Sequence, residues 1–121
     1  MRRRRVSPEA SIQLALCDHL RLRGKPGLVW FAVPNGGSRD AREAANLKRQ
    51  GVTAGVSDLI LFHDSRFFAL ELKSETGRLS EAQMAFLAAV NDAGGFAAHA
   101  HGLDRAIATL EAWQLLEGRT S

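Results

Sequence analysis

Two rhythms of apolar residues run along this chain. At helical spacing, Ile12, Leu16 and Leu20 recur behind Ser7-Pro8, a capping residue followed by the residue favoured at the first helical position. They predict a first helix to about residue 22, where "RGKPG" breaks it. The run "LVWFAV" predicts a short strand, and "PNGGSRD" after it is loop chemistry. Residues 40–50 form a second, alanine-rich helical stretch stopped by Gly51. "SDLILF" and "FFALELK" are two further strands. Ser80-x-x-Gln83 is a capping box opening a third helix that Gly94-Gly95 end. "FAAHA" is a fourth strand, and Asp104 is the expected cap of a last helix bearing Ile107, Leu110 and Trp113. The order is α-β-α-β-β-α-β-α, an α/β fold. Both faces of the two central strands read as mostly apolar, so helices are expected on both sides of the sheet.

The central hairpin has a register that can be derived. If Asp64-Ser65 is the turn, antiparallel partners have residue numbers summing to 129, so Phe62 faces Phe67, Ile60 faces Ala69 and Asp58 faces Glu71. Directly opposed side chains share a sheet face, with β-carbons about 4.5–5.5 Å apart. Lys73, two residues on, points to the same face as Glu71. The other face takes Leu59, Leu61, Phe68, Leu70 and Leu72. A loop longer or shorter by one residue would put Asp58 and Glu71 on opposite faces.

Composition narrows the setting. The chain has 121 residues, enough for one core, and 45% of them are hydrophobic and 24% charged, as in ordinary globular domains. No apolar run is long enough to span a bilayer, and no apolar segment of a signal peptide follows "MRRRR". A single Cys17 excludes an intramolecular disulfide and a multi-cysteine zinc site, which fits a cytoplasmic location. The net charge of +3 is unevenly spread: residues 2–49 carry eleven Arg or Lys against four acids, and residues 50–121 carry five against nine. A basic N-terminal half suits a polyanion, and an arginine run is equally at home as a solvated tail. The expected organisation is a basic tail at 1–6, one domain at 7–117 and a short tail at 118–121.

The candidate chemistry sits at the strand ends. Two opposed carboxylates repel and raise each other's pKa, a conflict that a hard divalent cation resolves. Magnesium favours oxygen ligands and commonly takes one or two carboxylates. Lys73 beside them can help deprotonate water or stabilise charge on a phosphoryl group. The same three residues could also be a surface ion-pair network. Gln83 heads the apolar stripe of the third helix and points towards the sheet, or serves only its capping box. Glu9 and Gln13 lie in the first helix, where the helix dipole alone favours an acid. In "VPNGGSRDAREAANLKRQG" the glycines allow close backbone approach to phosphate. Arg39, Arg42, Asn46 and Arg49 form one row suited to a phosphate backbone. His99 and His101 could share one strand face, but no third ligand is near them in sequence; His19, His63 and Cys17 have no constellation.

Taken in order, "PNGGSR", "NLKRQGVTAGVSDLIL" and "ALELKSETGRLSEAQ" resemble the VRR-NUC (virus-type replication-repair nuclease) branch of the PD-(D/E)XK nucleases, from about Glu9 to the last helix. The resemblance implies a restriction-endonuclease-like core with a mixed four-stranded sheet. It implies a Mg²⁺- or Mn²⁺-dependent DNA endonuclease, with Asp58, Glu71 and the backbone carbonyl of Leu72 as metal ligands. Lys73 would be the catalytic lysine, Gln83 its positioning partner, Glu9 the acid of the first helix and Gln13 its neighbour. Asn35, Gly36, Gly37, Arg39, Arg42, Lys48 and Arg49 would meet DNA. Stand-alone members of this type act as homodimers on branched DNA such as four-way junctions, and are phage- or prophage-encoded; no membrane and no small-molecule cofactor are implied. One departure is Ser57, where the family usually has proline before the metal aspartate. The rival readings are a non-catalytic DNA-binding module and a structural phage domain that keeps the nuclease fold.

Overall fold

The computed structural model describes residues 7–34 and 40–118. The elements run α1 (Pro8–Arg23), β1 (Val29–Ala32), α2 (Ala41–Arg49), β2 (Leu59–His63), β3 (Arg66–Lys73), α3 (Glu81–Asp92), β4 (Phe96–His101) and α4 (Leu103–Ala112), the expected order. Local chemistry explains most boundaries. The Ser7 hydroxyl accepts from the Ala10 N–H ahead of Pro8, and Asp40 caps α2 through the Glu43 N–H. Ser80 and Gln83 close a reciprocal capping box at the head of α3. At α4 the expectation fails: the cap position is Gly102, with φ of 87° and no side-chain cap bond, and Asp104 lies inside the first turn. The Gly102 N–H donates to the Lys73 carbonyl at 2.9 Å, which pins the chain where it leaves the sheet and starts the helix two residues early. Asp104 there still meets the positive end of the helix dipole.

The four strands lie in the order β1-β2-β3-β4, antiparallel across the first two pairs and parallel across β3–β4, a mixed sheet. The hairpin has the derived register: Leu59 pairs with Leu70, Ile60 with Ala69, Leu61 with Phe68, Phe62 with Phe67 and His63 with Arg66. Asp64 and Ser65 take φ of 52° and 63°, the left-handed pair that a two-residue turn demands and that matches the twist of the strands.

One sheet face carries the core. Leu59, Leu61, Phe68, Leu70 and Leu72 are buried against Leu16 and Leu20 of α1 and Ala106, Ile107 and Leu110 of α4. Trp30 and Trp113 pack at its edge, the latter with its ring centroid 5.0 Å from that of Phe68. Arg23 ties the C-terminal segment to α1, donating to the Glu111 carboxylate and to the carbonyls of Glu117 and Gly118. The opposite face departs from expectation. α3 packs on β3 and β4, burying Leu87 over a floor that includes buried Ile60 and Ala69. α2 has no buried residue, and on the β1–β2 half of this face Val29, Phe31 and Phe62 are exposed while Ile60 is buried.

Candidate active site

The site lies on the α3 side of the sheet, where β2 begins and β3 ends. The ladder stops at Leu59–Leu70, one residue short of Asp58 and Glu71. Asp58 continues it by other means. Its backbone carbonyl accepts from the Val33 N–H at 2.9 Å, and its Oδ2 accepts from the Leu72 N–H at 2.7 Å. The carboxylate thus replaces the strand partner that Leu72 would otherwise need. In an extended strand a residue's N–H and C=O leave towards the same edge. The Leu72 carbonyl therefore faces the side on which Asp58 stands, past the end of the ladder.

Glu71 is 2% exposed. Its Oε1 is buried with no hydrogen-bond partner among the described residues. Burial pushes its carboxyl from an ordinary 4.5 up to about 9, and the hydrogen bond and negative charge of Asp58 add to that rise. The Lys73 charge and the Leu72 N–H oppose it. With no cation present, burial and Asp58 together favour the protonated Glu71 carboxyl. Lys73 is half-buried at the strand end and forms no ion pair among the described residues. A solvated surface network does not describe this cluster: one carboxyl is shut off from water, and no salt bridge joins it to the lysine.

The loop into β2 sits against the head of α3. Gly55 has φ of 80°, and a Cβ there would lie 2.3 Å from the backbone carbonyl of Ala82 and 2.7 Å from the Gln83 nitrogen. Only glycine fits, for both reasons. This contact brings Gln83 to the Asp58 end of the sheet. Its Oε1 accepts from the Ser80 N–H at 2.8 Å, so the capping role is real, and its amide NH₂ is left to donate elsewhere. Ser57, in the place of the usual proline, is fully buried, and its hydroxyl has no partner among the described residues.

Glu9 and Gln13 are half-buried and fall in line with buried Leu16 and Leu20 on α1. That line faces the core side of the sheet, and no hydrogen bond or ion pair joins Glu9 or Gln13 to the Asp58–Glu71 pair among the described residues. On α2, helical spacing sets Arg42, Asn46 and Arg49 on one solvent-exposed side and Ala44, Leu47 and Lys48 on the other. The latter side borders a groove of about 1130 Å³ that runs past Gly55 and Val56 to Ala82 and Phe86 of α3. Asn35, Gly36, Gly37 and Arg39 lie outside the described residues.

β4 holds what sequence reasoning underweighted. The parallel register sets His99 beside Glu71 and His101 beside Lys73, on the same face as the carboxyl pair. The His101 Nδ1–H donates to the Ser74 carbonyl at 2.8 Å, and the two imidazoles meet edge to face at 5.2 Å. The spacing of the two histidines was visible in the sequence. Their neighbours were not, because a parallel partner reaches its place through a whole intervening helix. No group of three His, Cys, Asp or Glu able to hold a metal occurs among the described residues. Two carboxyl groups and a backbone carbonyl, completed by water, are the oxygen set that magnesium or manganese accepts. The orphaned Glu71 Oε1 fits that use.

Comparison with known proteins agrees with this fold. A solved structure described as a VRR_NUC domain protein superposes with a TM-score of 0.69 at 23% identity, covering 93% of each chain. The VRR-NUC domain model matches residues 7–104, and the chain belongs to that family. No curated protein matches it. The domain is of a nuclease type that processes DNA, in a family that generally uses divalent metals.

Proposed function

We propose that the protein is a Mg²⁺- or Mn²⁺-dependent endonuclease that hydrolyses DNA phosphodiesters, acting as a homodimer on branched DNA such as four-way junctions. The observation that carries the catalytic part is Glu71: a buried carboxyl against Asp58, one oxygen unpartnered, with a free lysine beside it. Asp58, Glu71 and the Leu72 carbonyl would hold the ion. When bound, the ion would polarise the phosphate and lower the pKa of water. Lys73, as a cation, orients the attacking water and stabilises the negative charge that builds on the phosphate oxygens. Gln83 orients Lys73 or the water through its free amide. Arg42, Lys48 and Arg49, with Asn35, Gly36, Gly37 and Arg39, hold the phosphate backbone on either side of the cut.

A non-catalytic DNA-binding module predicts binding without cutting. The buried carboxyl argues against it, since a structural domain gains nothing from a desolvated, half-unpaired acid. The test is cleavage of labelled four-way-junction, flap and linear duplex DNA with Mg²⁺, Mn²⁺ or EDTA. The expected result is cutting that EDTA abolishes and that is fastest on the junction. Equal rates on all three substrates would remove the branched-DNA part, and binding without cutting of any of them would remove the nuclease.

A further inference from the structure

The loop that leaves β3 is tied down at both ends. The Lys73 carbonyl accepts from the Gly102 N–H at 2.9 Å, and the Ser74 carbonyl accepts from the Gly77 N–H at 3.1 Å and from His101 Nδ1–H at 2.8 Å. The turn this closes, residues 74–77, folds back on the Lys73 side chain. A Cβ on Gly77 would lie 3.4 Å from the Lys73 Cδ and 3.1 Å from the Ser74 hydroxyl oxygen. At its far end the loop is held by half-buried Leu79 and by the Ser80–Gln83 capping box. Between these anchors stands Arg78, one residue past the contact with the Lys73 stem. It is exposed and makes no hydrogen bond or ion pair among the described residues. The loop's one acid is engaged elsewhere. A Cβ on Gly102 would lie 2.6 Å from Glu75 Oε1, so that carboxylate sits over the head of α4, where the helix dipole favours it.

We propose that Arg78 binds a phosphate of the strand being cut, the one adjoining the scissile phosphate. The proposal rests on the nuclease reading for the cut itself. The DNA contacts assigned above all precede β2, and Lys48 among them lines the groove that runs past Gly55 to Ala82 and Phe86. Arg78 comes instead from the chain that leaves β3, beyond Lys73. A strand laid across Asp58 and Glu71 then meets cations on both sides, and phosphate contacts of this kind fix its register. Phosphate is the fitting ligand because a guanidinium offers paired N–H donors that match two phosphate oxygens. The scissile phosphate is served by Lys73 and the ion, which leaves its neighbour to a side chain further along the same loop. A loop already pinned by hydrogen bonds loses little freedom when it takes up that contact.

The experiment compares the full chain as wild type, Arg78→Ala and Arg78→Lys, with Arg105→Ala, an exposed position on α4, as the control. Binding is read first, by anisotropy of labelled four-way-junction and duplex DNA across a salt series, in EDTA and in Ca²⁺. Arg78→Ala should weaken binding about tenfold and lower the salt slope by about 1, with an unchanged melting temperature. Arg78→Lys should recover the slope but only part of the affinity, because it keeps the charge and loses the fork. Arg105→Ala should match wild type. Cleavage is then read on strands carrying one uncharged methylphosphonate, stepped through the phosphates beside the cut. One adjoining position should slow wild type about tenfold and slow Arg78→Ala no further. An Arg78→Ala protein with the wild-type salt slope would overturn the proposal, and so would one that loses as much as wild type at every methylphosphonate. A wild type that binds no DNA in either condition would overturn it together with the nuclease reading. Binding that loses slope in Arg78→Ala, without cutting by any form, would refute the nuclease and leave Arg78 as a phosphate contact.

Discussion

Replacing Glu71 with glutamine should separate stability from function. The carboxyl is 2% exposed and its pKa is pushed from 4.5 up to about 9, first by burial and then by Asp58. Between those two values the folded protein keeps a proton that the unfolded chain has released. The stability this group contributes is therefore complete below about pH 4.5 and is lost as pH rises through about 9. Each pH unit in that window costs about 1.4 kcal/mol from this site alone. Relaxation around the carboxylate reduces the whole-window loss to a few kcal/mol, still a large share of a typical 5–15 kcal/mol. Glutamine keeps the shape, can still donate to Asp58, and does not titrate. Thermal melts in EDTA at pH 5, 7 and 9 should show wild type falling relative to Glu71→Gln, with a gap of about 2–4 kcal/mol, or on the order of 10 °C, at pH 9. Added Mg²⁺ should restore wild type most strongly at high pH, because it stabilises the ionised form, and should leave the variant unmoved. Parallel melting curves for the two proteins across the pH range would refute the reasoning, because Glu71 would then titrate alike folded and unfolded.

Other changes test the parts around it. Gly55→Ala places a methyl group against the Ala82 carbonyl at a positive φ and should cost about 2–4 kcal/mol in denaturant melts while lowering cleavage with it. Ser57→Ala removes a buried, unpartnered hydroxyl and should raise stability by about 1 kcal/mol; a loss of similar size would mean the hydroxyl has a partner. Arg42→Glu with Arg49→Glu changes two exposed side chains and should leave the melting temperature within a few degrees. In anisotropy titrations it should weaken DNA binding and lower the salt slope by about 2.

The legible part of this protein was whatever local chemistry decides. The capping box at Ser80 and Gln83, the Ser7-Pro8 helix start and the two-residue turn at Asp64-Ser65 each carry their own constraint. The turn then set the register that faces Asp58 with Glu71, so the carboxyl pair could be derived before any coordinates. What was not legible depends on long-range placement. His99 reaches Glu71 only through a parallel crossover, and the Asp58 bond to the Leu72 N–H has no signature in spacing. The apolar rhythm of β2 and β3 implied cover on both faces. Periodicity reports which positions avoid water, and it does not say what covers them. Asp104 misled for a similar reason: it is a good cap, but the Lys73 carbonyl and Gly102 decide where α4 begins.

The central claim is that Asp58, Glu71 and Lys73 form a nuclease site, and single-turnover cleavage by Lys73→Ala under saturating DNA tests it most directly. Lys73 is half-buried, unpaired and at a strand end, so its truncation should leave fold and DNA affinity near wild type. The account predicts a cleavage rate lower by about 10²–10⁴-fold with Mg²⁺ present. A variant that binds and cuts as wild type does would contradict it.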